Sequence, residues 1–467
     1  MNGEFINEET GEVIQKARNI SDNRMHTAFK NYLRRTNQHK FLLKGIYLCG
    51  SSINPIGQGT ALQTDGKDSR FTNLIRCHSA WACPHCTARV MAMKGTDIAC
   101  AIDALSTWYN QKAFMVTFTI PHYAYMSCAE SFAVLKDTWR RFSRQGNHKG
   151  RKSSYTLKLS SGEKNTRGGN ARVNSLKGDV VHYIKGNDPY GAFREDLLIT
   201  HNVRVYEFTY SHENGWHPHL HVLFWVPKQN WNKVLAYEDN LVARWWICLE
   251  QALVKVWHTE FMRNKPVELL KELAKRYCAD WKKAPITGHK AVYFSRNKDG
   301  SLKQTCSSLY ISGWGGDAET SAEINKKSSE GHYTPFQILE NAMSDKEHSN
   351  MWFGLYTEYA KATRSSRRVE FSSRSGLTKI IDKWKQTQKY IETFQKKSTQ
   401  KAQEFKTVYW FSKEQWYDVC VLDETNNVIE TLLILARAPD AKQSIELYLQ
   451  LMHIPKTGTN KLAQYCA

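Results

Sequence analysis

The chain has no apolar run of ~18 residues, the length a membrane-spanning helix requires, so no membrane span is expected. Its opening, Met1-Asn2-Gly3-Glu4-Phe5, is polar and acidic and lacks the basic and apolar regions of a secretory leader. With no leader and an odd number of cysteines, 11, a disulfide framework is disfavoured and a cytoplasmic location is expected. There is no internal repeat, and no His-Glu-x-x-His helix to suggest a zinc peptidase. Val222 and Leu223 stand where a metallo-β-lactamase-like array would need its aspartate. Acidic residues are comparatively scarce: 45 Asp and Glu against 65 Lys and Arg leave a formal charge of +20. That excess suits a polyanionic partner whose affinity falls steeply as salt rises. The 15 Trp and 22 Tyr favour nucleic acid over an anionic membrane, because exposed rings stack on unpaired bases, although most of these rings will be core.

What is present begins with Gly215-Trp216-His217-Pro218-His219-Leu220-His221-Val222-Leu223-Phe224-Trp225. On an extended strand His217, His219 and His221 point one way and Pro218, Leu220 and Val222 the other, into a core. The bulky apolar run that follows argues for an interior strand, and a row of imidazoles on such a strand points to divalent-metal ligation rather than a solvated histidine tract. Upstream, Val203–Tyr210 also reads as a strand, and Asn214-Gly215 is a turn signal. A hairpin folded about Glu213 sets Glu207 opposite His219 and Thr209 opposite His217. A one-residue slip would turn Glu207 away. One carboxylate and two imidazoles, Glu207, His219 and His221, leave positions open on an ion, as catalytic sites do.

A second donor set lies at Cys77-His78-Ser79-Ala80-Trp81-Ala82-Cys83-Pro84-His85-Cys86. Its Cys-Pro-His-Cys turn presents two thiolates to one zinc, and Cys77 and Cys49 complete a tetrahedral set of four cysteines. His85 or His78 replacing one thiolate, or a few reduced buried cysteines, are the alternatives. Such a zinc would be structural.

The segment His219-Leu220-His221, two histidines flanking a hydrophobic residue, resembles the second motif of the HUH endonucleases, and over residues 45 to 377 the chain is most similar to the replication initiators of small rolling-circle plasmids. Phe114–His122 resembles the Thr-rich first motif, and Ser308-Leu309-Tyr310-Ile311-Ser312-Gly313 the third, which carries a nucleophilic tyrosine. Tyr333–Glu340 and Tyr356–Thr363 resemble further blocks of one branch, and the four-cysteine set resembles that branch as well. Gly313 stands where the family commonly has lysine, and Cys306 where some members place a water-activating glutamate, for which Asp317 or Glu319 would be the substitutes.

The resemblance implies an α+β HUH fold with a central, mainly antiparallel five-stranded sheet flanked by helices. It implies Mg2+ or Mn2+ on Glu207, His219 and His221, and attack by Tyr310 on a single-stranded or hairpin origin to leave a 5′-phosphotyrosine and a 3′-hydroxyl. The role implied is initiation of rolling-circle replication, with the host helicase and polymerase as further partners. The rivals are an HUH transposase or relaxase, and a zinc-stabilised DNA-binding regulator without nuclease activity. Tyr356 and Tyr359 are alternative nucleophiles, because Arg364, Arg367 and Arg368 follow closely as candidate DNA contacts. Three regions are expected: a polar, basic helical arm over 1–45; the nuclease domain over 46–377; and a helical linker with a small C-terminal unit over 378–467. The nuclease domain would contain the zinc segment 49–90 and a basic surface insertion, 146–188.

Overall fold

The computed structural model describes residues 16–38, 43–51, 53–54, 58–66, 69–143, 154–158, 175–176, 179–184, 189–283, 291–307, 331–372, 376–396 and 405–455. It is a mixed α/β protein with antiparallel sheets and two compact units. One comprises Met1–Met91, Phe336–Arg364 and Glu392–Ala467; the other comprises Ala92–Pro335 and Ser365–Ile391. This division by compactness cuts across the three regions set out from sequence. The strands are β1 (Gly59–Thr64), β2 (Ser69–Phe71), β3 (Gln111–Thr119), β4 (Ser154–Lys158), β5 (Ser175–Leu176), β6 (Asp179–Ile184), β7 (Asn202–Ser211), β8 (Gly215–Pro227), β9 (Val292–Phe294), β10 (His332–Tyr333), β11 (Val369–Phe371) and β12 (Lys406–Ser412). No helix among the described residues is long and apolar enough to cross a membrane.

In the second unit the main sheet runs β10-β7-β8-β3-β9, with β11 also on β7. Six strands therefore stand where five were expected, because two short segments share one edge of β7, at Tyr210–Ser211 and at Val203–Val205. The segment β4-β6-β5 forms a separate three-stranded sheet inside the stretch expected to be a basic insertion. The 13 residues of β8 follow the alternation expected of them at the functional end: Trp216, Pro218, Leu220 and Val222 are buried, whereas His217, His219 and His221 are half-buried. The buried face packs on the helices Cys128–Ser143 and Glu238–Val256. Phe118 meets Trp245 at 4.8 Å, Phe142 at 5.1 Å and Trp139 at 5.4 Å between ring centroids. Burying a side chain of this size stabilises by about 1.5–3 kcal/mol, which fixes which face of the sheet is left for chemistry. Trp245 Nε1 donates to the Thr119 carbonyl at 2.8 Å, so this face buries no unmatched indole there.

The first of these helices starts at Ser127, whose Oγ accepts from Glu130 N at 3.1 Å. On the same helix Asp137 accepts from Arg141 Nε at 2.6 Å and from Lys255 Nζ of the neighbouring helix at 3.2 Å; Arg140 is a third partner. Burial pushes the Asp137 carboxyl up, but these three cations outweigh it and hold it below its ordinary range.

The first unit contains the sheet β12-β1-β2. The C-terminal segment contributes β12 to this sheet: Phe411 pairs with Thr60, and Trp410 with Ala61. A lone strand leaves its backbone groups unpaired, so β12 needs a partner that no local sequence pattern identifies. Leu62, Phe411, Trp416, Val419, Val428, Leu432 and Ile445 form the core beneath it. The helix Lys16–Arg35, within the region expected to be a polar, basic helical arm, buries Met25, Phe29, Tyr32 and Leu33, at helical spacing. Phe29 packs edge-on to Tyr356 at 4.8 Å, and Tyr32 stacks on Phe353 at 4.7 Å.

Candidate functional site

The hairpin register pairs Glu207 with His219 and Thr209 with His217, as the turn at Asn214-Gly215 predicts. Gly215 has a φ of +71°, and a Cβ there would lie 2.8 Å from the Tyr123 carbonyl oxygen, so the turn requires glycine for both conformation and space. On the other side of β8, Thr119 faces His219 and Thr117 faces His221. Directly paired residues share a face, so three strands deliver a carboxylate, three imidazoles and the hydroxyls of Thr117, Thr119 and Thr209 to one surface.

The side chains interlock. His221 Nε2 lies 2.9 Å from Glu207 Oε2, with both side chains largely buried at 12% and 16% exposure. The other nitrogen, His221 Nδ1, lies 2.8 Å from Thr117 Oγ1, so the ring is gripped from both ends. His217 Nε2 is 2.7 Å from Thr119 Oγ1, and its ring stacks on His122 with centroids 4.0 Å apart. His122 Nδ1 in turn lies 2.8 Å from the Asn214 carbonyl oxygen, which ties this ring to the turn. His219 lies between the other two histidines, its ring centroid 4.4 Å from that of His217 and 5.8 Å from that of His221. The structure thus joins Glu207 to His221 directly and places His219 beside them. The roles of Thr117, Thr119 and His122 were not assigned from sequence; the two-residue alternation of Thr117 and Thr119 was the available signal.

In the first unit Cys49, Cys77, Cys83 and Cys86 converge, with their sulfurs all within 4.8 Å of one another. Among the described residues this is the one group of three or more metal-type donors that meets that spacing, which Glu207, His219 and His221 together do not. Cys49 Sγ is 3.5 Å from Cys86 Sγ and 3.6 Å from Cys83 Sγ. Four thiolates at about 2.3 Å from a tetrahedral zinc would sit roughly 3.8 Å apart, so the cluster fits a metal ion such as zinc. Donation from Cys77, Cys83 and Cys86 drives the Cys49 thiol far below its ordinary range, and the same sharing with Cys49 pushes Cys77 and Cys83 up. Pro84 opens the helix Pro84–Tyr109, where a missing N–H costs nothing, and Thr87 N bonds the Cys83 carbonyl at 2.9 Å. His26 is buried and His85 half-buried beside the cluster, and desolvation lowers the pKa of His26 to about 4 and that of His85 well below its usual value.

Tyr356 and Tyr359 belong to this cluster's support. Their hydroxyls donate to the Ala82 carbonyl at 3.0 Å and the Trp81 carbonyl at 3.4 Å, and their exposures of 0% and 1% remove them as nucleophiles. Arg364 and Arg367 are exposed, but Arg368 is buried at 2%, so its side chain is not available to a DNA backbone. Cys306 is exposed. Tyr310, Gly313, Asp317 and Glu319 lie outside the described residues.

No protein-family model matches the chain, and no solved structure matches it. The chain is similar to a curated protein named "Protein rep" from Streptomyces lividans, at 24% identity over 176 residues, which is 37% of this chain and 34% of that relative. The match thus spans about a third of the relative's length. It suggests a Rep-like protein.

Proposed function

We propose that this protein nicks and rejoins single-stranded DNA at a replication origin, as rolling-circle initiators of the HUH class do. The observation that carries the reading is the contact of His221 Nε2 with Glu207 Oε2 at 2.9 Å, on a register that sets His219 opposite Glu207. Two ligands at right angles on an ion with bonds of about 2.1 Å sit roughly 3 Å apart, so this donor pair fits Mg2+ or Mn2+ as well as it fits a hydrogen bond. Glu207, His219 and His221 would hold the ion, which would relieve charge on a phosphate oxygen. Thr117 fixes the orientation of His221 from behind, the usual task of a partner on a ligand's second nitrogen. The four-cysteine cluster is assigned a structural zinc.

In the proposed reaction the Tyr310 phenol loses its proton and its oxygen attacks the scissile phosphorus. The bond from phosphorus to the 3′-oxygen breaks, that oxygen takes up a proton, and a 5′-phosphotyrosine remains. A second attack, by a 3′-hydroxyl, reverses these steps and joins ends without ATP, because the phosphodiester energy is kept in the covalent link. The excess of basic residues, 65 against 45 acidic, supplies the long-range attraction for the strand.

Incubation with labelled single-stranded origin DNA and Mn2+ should give an adduct that survives SDS, absent from Tyr310→Phe, and the mass of the attached peptide should name Tyr310. A wild type that binds DNA yet forms no more adduct than Tyr310→Phe would favour the regulator without nuclease activity, the reading that Gly313 supports.

A further inference from the structure

Between β3 and the helix Cys128–Ser143 lies the short loop Pro121-His122-Tyr123-Ala124-Tyr125-Met126-Ser127. Tyr125 is 79% exposed, more than any other large apolar or aromatic side chain that is exposed among the described residues. Its ring nevertheless has an aromatic neighbour on the same loop. It lies parallel to Tyr123, with centroids 5.4 Å apart and planes within 3°. Tyr123 packs edge-on to Tyr277 at 4.7 Å, and the Tyr277 hydroxyl donates to the Pro121 carbonyl at 3.0 Å. The loop backbone is pinned as well. Met126 N bonds the Tyr123 carbonyl at 2.9 Å, and that same carbonyl is the atom that excludes a side chain at Gly215.

The loop also leads directly to the histidine face. His122 stacks on His217, and His217 neighbours His219. An exposed aromatic ring gains nothing from water, and one already stacked on a second ring forfeits less entropy when a flat partner covers it. We propose that Tyr125, backed by Tyr123, is a stacking platform for an unpaired base of the DNA strand presented to Glu207 and His219. The proposal rests on the nicking reading for its ligand. Bases stack on aromatic side chains with little regard to sequence, so this contact would hold the strand and leave the choice of site to other residues.

The test measures binding of the full chain to labelled oligothymidylate of about 20 nucleotides and to a strand of equal length built of abasic spacers. Tyr125→Ala should weaken the first roughly 5- to 100-fold and leave the second unchanged, and Tyr125→Trp should keep the wild-type affinity. Equal affinity of Tyr125→Ala and wild type for oligothymidylate overturns the platform, as does an equal loss on both probes or a wild type that binds neither. Adduct formation is read in parallel with saturating origin DNA. An adduct together with unchanged thymidylate affinity sinks the platform alone; a base-dependent loss without any wild-type adduct sinks the nicking chemistry alone.

Discussion

The sulfur cluster and the histidine face gather their donors by different routes. Cys49 and Cys77 reach Cys83 and Cys86 through loops, and the carbonyls of Trp81 and Ala82 beside them are held by Tyr359 and Tyr356, whose backbone lies more than 270 residues further on. Glu207, His219 and His221 come from one hairpin, and the ladder itself aligns them. Four soft sulfurs at mutual contact have little reason to remain together without an ion, because each thiolate repels the next. In the strand-borne set His221 is bonded from both ends, by Thr117 and by Glu207. An ion at the sulfur cluster would contribute to folding, whereas on the proposed reading the hairpin would offer an ion a place already prepared.

The sharpest way to break this contrast is Cys83→Ser. It should cost the protein its bound zinc and destabilise the first unit by several kcal/mol, read as loss of metal by mass spectrometry and an early unfolding transition in calorimetry. An unchanged zinc content and unfolding profile would show that the cluster is four thiols that hold no metal. Next in size, His219→Ala should slow nicking about 1,000-fold or more while zinc content stays at the wild-type value. A parallel fall in zinc would mean that the two sites are not separate. Thr117→Val removes the hydroxyl behind His221 at almost constant shape, and should cost roughly 10- to 100-fold in activity or in Mn2+ affinity. Thr117→Ser should restore it, whereas a purely structural role would show the same rates for all three proteins.

The smallest effect tests the scaffold under the histidine face. Asp137→Asn should destabilise the second unit by roughly 1–3 kcal/mol at neutral pH, discounted for the partial exposure of its cations. Because the folded carboxyl is held below its unfolded value, this contribution is present above the unfolded pKa of 3.8 and is lost as pH falls through the folded one. Thermal unfolding of wild type and variant should therefore converge in acid, and a constant gap between them would refute the assignment.

Much of the histidine face is legible in the sequence. Strand alternation and an Asn-Gly turn determine which residues meet, and they do so locally, so the pairing of Glu207 with His219 follows from the residue order alone. The four cysteines are legible because metal chemistry restricts their spacing. Contacts set by distant chain segments are not. Nothing near Lys406–Ser412 states that its partner is Gly59–Thr64, and the basic surface of Lys16–Arg35 masks the stripe of Met25, Phe29 and Leu33. Arg368 shows the converse: a run of arginines reads as solvent-facing, yet this side chain is buried beside a strand whose Tyr206 amide bonds the Arg368 carbonyl at 2.9 Å.

The hydrogen bond from Tyr356 to the Ala82 carbonyl spans 274 positions. Translation at about 5–20 residues per second separates the emergence of these two residues by on the order of tens of seconds. Throughout that interval the nascent thiols lack the aromatic wall that later encloses them, so capture of an ion by the growing polypeptide competes with oxidation. If the cluster holds zinc as proposed, cells short of it should lose this protein during its manufacture, before any finished molecule has been inactivated.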